Sequence, residues 1–215
     1  MALIAPHAGY VYSGPVAATG YATVRRPIER VILLGPAHRY PLRGLAAHGA
    51  DTFLTPLGPI PVHTPKLPHT STLDAAHAGE HSLEVHLPFL QVALGDFTLT
   101  PLLVGDAKPN EVADVLEQLW GGPETLVVIS SDLSHFHDYD TAVRLDRSTA
   151  TAIEELRPEA IGLREACGCR AIGGLLHLAR KKGLEVTTLD LRNSGDTAGP
   201  RNEVVGYGTF AFAPA

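Results

Sequence analysis

Short, continuous hydrophobic segments alternate along the chain with segments that have the period of a helix. Apolar runs of about four to eight residues are typical of strands buried on both faces of a sheet, and apolar residues three or four apart are typical of amphipathic helices. The predicted strands are Ala2–Ala5, Arg30–Gly35, Phe97–Val104, Thr125–Ile129, Leu184–Leu191 and Val204–Phe212. The predicted helices are Pro15–Val24, Glu80–Leu94, Asn110–Trp120, Ala142–Leu156 and Arg170–Lys182.

This alternation predicts the fold class. Apolar strands separated by helices are typical of an α/β domain, in which helices cover both faces of a mostly parallel central sheet. Residues 44–63 contain Gly-Pro and Thr-Pro turns and predict a short antiparallel excursion. The helix predicted over Glu80–Leu94 has its leucines on one face, and Pro88 is expected to kink it. We therefore expect one α/β domain with no linker or repeat.

Composition narrows the class of protein. Of the 215 residues, 45% are hydrophobic and 19% are charged, so the chain can bury a core and is not disordered. The net charge is −6 and no basic run occurs, which argues against a nucleic-acid partner. The first 24 residues lack charged side chains, but prolines and glycines interrupt this stretch. We therefore expect neither a membrane span nor a targeting segment there. We expect a cytoplasmic protein that binds no membrane.

Histidines follow the predicted strands at the points where those strands end. His7 lies two residues after the first strand and His38 three residues after the second, and Asp132 and His135 follow the strand Thr125–Ile129. The carboxyl ends of parallel strands meet at one edge of a sheet, where ligands bind. A single loop histidine is more often solvated than functional, but three strand ends together favour a metal or catalytic cluster.

Two cysteines, Cys167 and Cys169, are separated by a single glycine. A disulfide between them would close a small strained ring, so free thiols are favoured. Cys167 precedes the predicted helix Arg170–Lys182, and a helix N-terminus favours the thiolate by lowering its pKa. A thiolate with two imidazoles would suit zinc, copper or iron. Cys169 is the competing ligand, and an inert buried cysteine is the simpler alternative for Cys167.

The segment Glu80–His86 adds a further candidate. His81 is expected to line a pocket and to carry protons, because the pKa of an imidazole is near neutrality. For Glu84 and His86 we expect an exposed, charged first helical turn.

Six motifs in a fixed order connect these residues to a known family. They are Pro6-His7-Ala8-Gly9-Tyr10 with Ser13-Gly14, Gly35-Pro36-Ala37-His38, Glu80-His81-Ser82-Leu83-Glu84, Ser131-Asp132-Leu133-Ser134-His135, Cys167-Gly168, and Asn193-Ser194-Gly195-Asp196. From residue 2 to about residue 212 the chain resembles the Memo family, the mediator of cell motility and its bacterial relatives called AmmeMemoRadiSam system protein B. The resemblance implies one Memo-like domain over residues 1–215, without the N-terminal extension usual in the family.

The resemblance also implies a fold similar to LigB-type class III extradiol dioxygenases, which hold non-haem iron with two histidines and a carboxylate. In the Memo family a cysteine takes the place of that carboxylate. The implied ligands in this chain are His7, His38 and Cys167, and the implied cofactor is an iron or copper ion, with zinc as an alternative. Asp132 and His135 would line the same pocket, with His81 nearby.

Three functional hypotheses follow from the motifs and the resemblance. The first is a metal-dependent, dioxygenase-like oxidoreductase. The second is a non-catalytic adaptor that binds a peptide or small ligand in the same pocket. The third is a zinc hydrolase with Asp132 as base. The substrate would be a small molecule or peptide, and the resemblance implies a radical-SAM protein and an AMMECR-type protein as partners.

Overall fold

The computed structural model, which describes residues 1–24 and 27–214, has four parallel strands at the centre of a nine-stranded mixed sheet. These strands are hydrogen-bonded side by side. Their apolar residues are buried, which is typical of parallel strands that are covered on both faces. In spatial order they are β1 (Ala2–Ala5), β8 (Thr125–Ser130), β2 (Arg30–Pro36) and β7 (Thr98–Val104).

Shorter and antiparallel strands extend the sheet on both sides. On the β1 side lie β11 (Val204–Pro214) and then β10 (Leu184–Asn193), both antiparallel to their neighbours, and β9 (His135–His137) pairs with β11. On the β7 side lie β3 (Leu45–Ala47), which is antiparallel to β7, and β6 (Thr70–Thr72). Strands β4 (Thr52–Thr55) and β5 (Gly58–Pro61) form a separate hairpin, which confirms the predicted antiparallel excursion.

Helices cover both faces of the sheet, as predicted. They are α1 (Tyr10–Tyr21), α2 (Asp74–His77), α3 (Leu87–Leu94), α4 (Pro109–Leu119), α5 (Tyr139–Glu154) and α6 (Cys169–Lys182). Helices α4, α5 and α6 pack on one face with Ala2 and Ile4 of β1, and α1 and α3 pack on the other with Leu3 and Ala5. Within the described ranges, no helix is long and apolar enough to cross a membrane.

The parallel register brings the ends of the central strands to the same height. Ala5 at the end of β1 pairs with Ser130 at the end of β8, and Pro36 at the end of β2 pairs with Val104 of β7. The loops that follow β1, β2 and β8 therefore leave the sheet at one edge. This edge carries the histidines that the sequence singled out.

The predicted helix over Glu80–Leu94 was wrong in its first half. Residues 80–83 form no regular structure, a 3₁₀ turn spans Glu84–His86, and α3 begins only at Leu87. Pro88 lacks a backbone N–H and is tolerated in the first turn of a helix rather than in its interior, so the regular helix begins next to it. The other helices lie near their predicted positions, although α1 begins five residues earlier, at Tyr10.

Close packing of α4 against α6 depends on a glycine and yields a test. A Cβ at Gly174 would lie 2.5 Å from Cγ1 of Val112 and 3.1 Å from the backbone nitrogen of Ala113. We expect Gly174→Ala to lower the free energy of unfolding by about 1–3 kcal/mol through overpacking, although alanine is by itself the better helix former. Denaturant unfolding measures the change.

Gly14→Ala is the matched control, because a Cβ there would meet its nearest neighbour, Cβ of Tyr10, at 3.7 Å, an ordinary contact distance. This variant should be neutral or slightly stabilising. An unchanged or increased stability of Gly174→Ala would contradict the packing described for the two helices.

Candidate metal centre

Three imidazoles meet at the carboxyl edge of the parallel strands. His7, His38 and His81 each offer one ring nitrogen, and these atoms lie within 4.8 Å of one another. The ring of His7 stands edge-on to the other two, whose rings stack with centroids 5.2 Å apart. His7 is buried, whereas His38 and His81 are partly open to solvent. The strand-end arrangement predicted from the sequence therefore brings His7 and His38 together, and His81 joins them from the segment that precedes α3.

Cys167 lies beside the imidazole of His7. Its Sγ is 3.5 Å from Nε2 of His7, and it accepts a hydrogen bond of 3.3 Å from the backbone N–H of Asp132. Cys167 and His38 also line one cavity of about 370 Å³. A Cβ at residue 168 would lie 2.6 Å from the carbonyl oxygen of Ser130, so Gly168 lets the loop that carries Cys167 approach the end of β8.

The expected low pKa of Cys167 was wrong. Burial, followed by the nearby carboxyl group of Asp132, raises the pKa of the Cys167 thiol to about 12. Two backbone N–H groups, those of Asp132 and Gly168, act in the opposite direction but are outweighed. In the metal-free protein this residue is therefore a thiol, and a metal ion would have to displace its proton.

Asp132 connects the end of β8 to the loop that carries His7. Its Oδ1 accepts a 2.8 Å hydrogen bond from the backbone N–H of His7, and its Oδ2 lies 4.0 Å from Nε2 of the same residue. Burial raises the pKa of the Asp132 carboxyl group, although the backbone N–H of His7 acts against this shift. Asp132 thus holds the backbone of His7 by a hydrogen bond, while its second carboxyl oxygen lies too far from the imidazole for a direct one.

His135 has a hydrogen-bond partner of its own, outside the cluster of three imidazoles. Its Nδ1 donates a 2.8 Å hydrogen bond to the carbonyl of Leu133, and its ring packs edge-on against Phe136. Among the described residues, it has no hydrogen bond or ring contact with His7, His38 or His81. It begins β9 and interacts electrostatically with His7 and Asp132, so it borders the site without joining the cluster of three imidazoles.

Glu80 was not predicted as a site residue, yet it holds two of the imidazoles. Its buried carboxylate accepts hydrogen bonds from the backbone N–H groups of His38, His81 and Ser82, and a fourth, of 2.9 Å, from Nδ1 of His38. Burial alone would raise the pKa of Glu80, but the hydrogen bonds from His38 and Ser82 outweigh it and hold the pKa well below its usual range. An acceptor on Nδ1 leaves Nε2 of His38 free as a ligand atom.

His86 was expected on an exposed turn and is instead fully buried. Its ring hydrogen-bonds with Ser130 and with Tyr21. A continuous helix from Glu80 onward would have turned this residue toward solvent, whereas the 3₁₀ turn over Glu84–His86 turns it inward. The only signal available in the sequence was Pro88, which marks where the regular helix begins.

The donor set suits a transition metal. Burial, and then the neighbouring His38 and His81, lower the pKa of His7 to about 3, so its imidazole is neutral and can donate a lone pair. With bond lengths of about 2.0 Å to nitrogen and about 2.3 Å to sulfur at a tetrahedral angle, the ligand atoms would be about 3.5 Å apart. The observed distance from Cys167 Sγ to His7 Nε2 is 3.5 Å. These side chains therefore fit a zinc, copper or iron ion.

The role of Glu80 in holding His38 is testable with a metal probe. Replacing Glu80 by Gln removes the charge and exchanges one of the two acceptor oxygens that bind His38 for an NH₂ group, so the imidazole of His38 is held less firmly. We expect Glu80→Gln to weaken Co²⁺ binding by about 10- to 100-fold, measured by visible absorption titration. Glu84→Gln is the matched control, because Glu84 is exposed and accepts no hydrogen bond from the imidazoles. Equal Co²⁺ affinities of the two variants would rule out this role.

Comparisons with known proteins identify the family of this chain. The profile described as Memo-like protein matches residues 1–211. A MEMO1 family protein of Thermotoga neapolitana is 34% identical over 229 residues, covering 95% of this chain and 80% of the relative. Those of Aeropyrum pernix and Aquifex aeolicus are 36% and 32% identical, covering 96% of this chain and 81% and 83% of the relatives. The resemblance seen in the motifs is thereby confirmed, and the chain belongs to the Memo family.

Proposed function

We propose that this protein is a metal-dependent redox protein of the Memo type, with iron or copper as its ion. The observation that supports the proposal most strongly is the convergence of His7, His38 and His81 with the sulfur of Cys167 at one edge of the sheet. When bound, such an ion would supply one-electron and dioxygen chemistry. The substrate would be a small molecule or a peptide that enters from the solvent side.

His7, His38 and Cys167 are the proposed ligands. Cys167 Sγ already lies at the separation from Nε2 of His7 that two ligands of one tetrahedral ion would have. His81 is the most exposed of the three imidazoles and stacks on His38. We therefore propose that it lies next to the open coordination position. A sulfur ligand favours copper or iron over the hard cations that carboxylates select.

The remaining groups have proposed roles in proton handling. The carboxyl group of Asp132, whose pKa is raised by burial, would hold a proton close to the ring of His7. His81, at the solvent-exposed side, would exchange protons with substrate or water. His135, at the start of β9 and close enough to Asp132 to lower the pKa of its carboxyl group, would exchange protons on that side of the pocket.

Loss of one proposed ligand tests the function. The wild-type protein, purified without oxygen, is expected to contain about one equivalent of iron or copper and to consume oxygen when a reductant is supplied. His38→Ala should lose most of the metal and most of the oxygen consumption, because it removes one of the ligands. Element analysis and an oxygen electrode measure both quantities.

His177→Ala is the control, because His177 is an exposed residue of α6. It should retain the metal content and the oxygen consumption of the wild type. Equal metal content and equal oxygen consumption in wild type and His38→Ala would refute the proposed function. Stoichiometric zinc with activity on amides or esters would replace it with the hydrolase hypothesis.

A further inference from the structure

A buried row of hydrogen-bonded side chains leads from His7 away from the metal cluster. Nδ1 of His7 lies 2.6 Å from Oγ of Ser130, and the same oxygen lies 2.9 Å from Nε2 of His86. Nδ1 of His86 lies 2.7 Å from the hydroxyl of Tyr21. All four side chains are buried, so each polar atom depends on the others for a partner.

A backbone carbonyl fixes the direction of these hydrogen bonds. The Oγ of Ser130 also lies 2.5 Å from the carbonyl oxygen of Ser82, which can only accept. A hydroxyl has a single proton, so Ser130 must donate it to that carbonyl. Both imidazoles that contact Ser130 must then donate to it, His7 through Nδ1–H and His86 through Nε2–H.

This direction determines which nitrogen of His7 can bind a metal. A neutral imidazole has one proton, and the contacts to Ser130 use it on Nδ1 of His7 and on Nε2 of His86. With that proton on Nδ1, the lone pair of His7 lies on Nε2, the atom that is 3.5 Å from Cys167 Sγ. His86 has its lone pair on Nδ1 and accepts from the hydroxyl of Tyr21.

We propose that Ser130 is a positioning residue that holds His7 in the Nδ1–H tautomer, with the Ser82 carbonyl setting the direction and His86 filling the second acceptor position of the hydroxyl. The inference rests on the proposed metal site, for which it supplies the free Nε2 of His7. Ser130 is the last residue of β8 and pairs with Ala5 of β1, so the strand register fixes its distance from His7. Ser130 therefore lies at the end of a strand that is hydrogen-bonded on both sides, to β1 and to β2.

The two histidines are held by acceptors of different kinds. His38 donates its Nδ1–H to the carboxylate of Glu80, which is charged, whereas His7 donates to a neutral hydroxyl. A neutral acceptor adds no negative charge beside the buried ring, where an unpaired charge would be costly. Both arrangements leave Nε2 as the free atom, so both imidazoles present the same nitrogen to an ion.

The tautomer is measurable without any metal. Long-range ¹H–¹⁵N spectra of the metal-free, ¹⁵N-histidine-labelled protein distinguish a protonated Nδ1 from a protonated Nε2. We expect His7 to show a protonated Nδ1 and a bare Nε2 in the wild type. A protonated Nε2 on His7 would overturn the proposal, whatever metal the protein binds.

Ser130→Ala tests the residue itself. Without the hydroxyl, Nδ1 of His7 has no acceptor, so we expect a mixture of both tautomers and Co²⁺ binding weaker by about 10- to 100-fold. Ser134→Ala is the matched control, because Ser134 is a buried serine of the adjoining loop whose hydroxyl takes no part in these hydrogen bonds. It should keep the wild-type tautomer and the wild-type affinity.

His86→Gln provides a second variant should Ser130→Ala fail to fold. A glutamine amide can donate to Ser130 and accept from Tyr21, so this variant should keep the Nδ1–H tautomer of His7. An unchanged tautomer and affinity in folded Ser130→Ala, or an altered tautomer in folded His86→Gln, would overturn the proposal. If the wild type bound no metal at all, the proposed function would fail, while the wild-type spectrum would still decide the tautomer.

Discussion

The geometry of the site depends on one short segment, Glu80 to Ser82, that packs against the ends of β2 and β8. The carboxylate of Glu80 accepts a hydrogen bond from His38. The carbonyl of Ser82 accepts the hydroxyl proton of Ser130, which leaves the oxygen of Ser130 to hold His7. The segment fits because residue 35 has no side chain. A Cβ at Gly35 would lie 2.8 Å from Oγ of Ser82. The segment Glu80 to Ser82 thus orients two imidazoles that follow different strands.

Much of the fold could be predicted because the hydrophobic pattern is strong. Buried parallel strands need continuous apolar residues, and the helices that cover them need an apolar stripe, so both signals are local. The positions of His7 and His38 followed from the same logic, because a side chain just past a strand lies at the edge of the sheet. The segment that begins at Glu80 does not form the predicted helix, because its backbone N–H groups bind a carboxylate rather than helical carbonyls.

What the sequence could not reveal are contacts between distant residues. His86 meets Ser130 from 44 positions away, and only the packing of the 3₁₀ turn beneath β8 makes it buried. Cys167 was predicted as a thiolate from its place before a helix, but the helix end acts weakly compared with burial beside Asp132, which raises the thiol pKa. Local position identified the ligand type, whereas the protonation state depended on the tertiary environment.

The chain belongs to the Memo family and has an α/β fold, and a fold alone does not establish a reaction. The chemistry depends on which atoms hold the ion. Two imidazoles with a sulfur would form a softer set than two imidazoles with a carboxylate, and this difference would change both the preferred metal and the charge at the open position. The identity of the third ligand is therefore the decisive property of the site.

Metal-edge X-ray absorption of the protein purified without oxygen tests this property directly. The arrangement of His7, His38 and Cys167 predicts one sulfur at about 2.3 Å and imidazole nitrogens at about 2.0–2.1 Å in the first coordination shell. A shell of nitrogen and oxygen without sulfur would contradict the role of Cys167, and a shell without imidazole would contradict the metal centre itself.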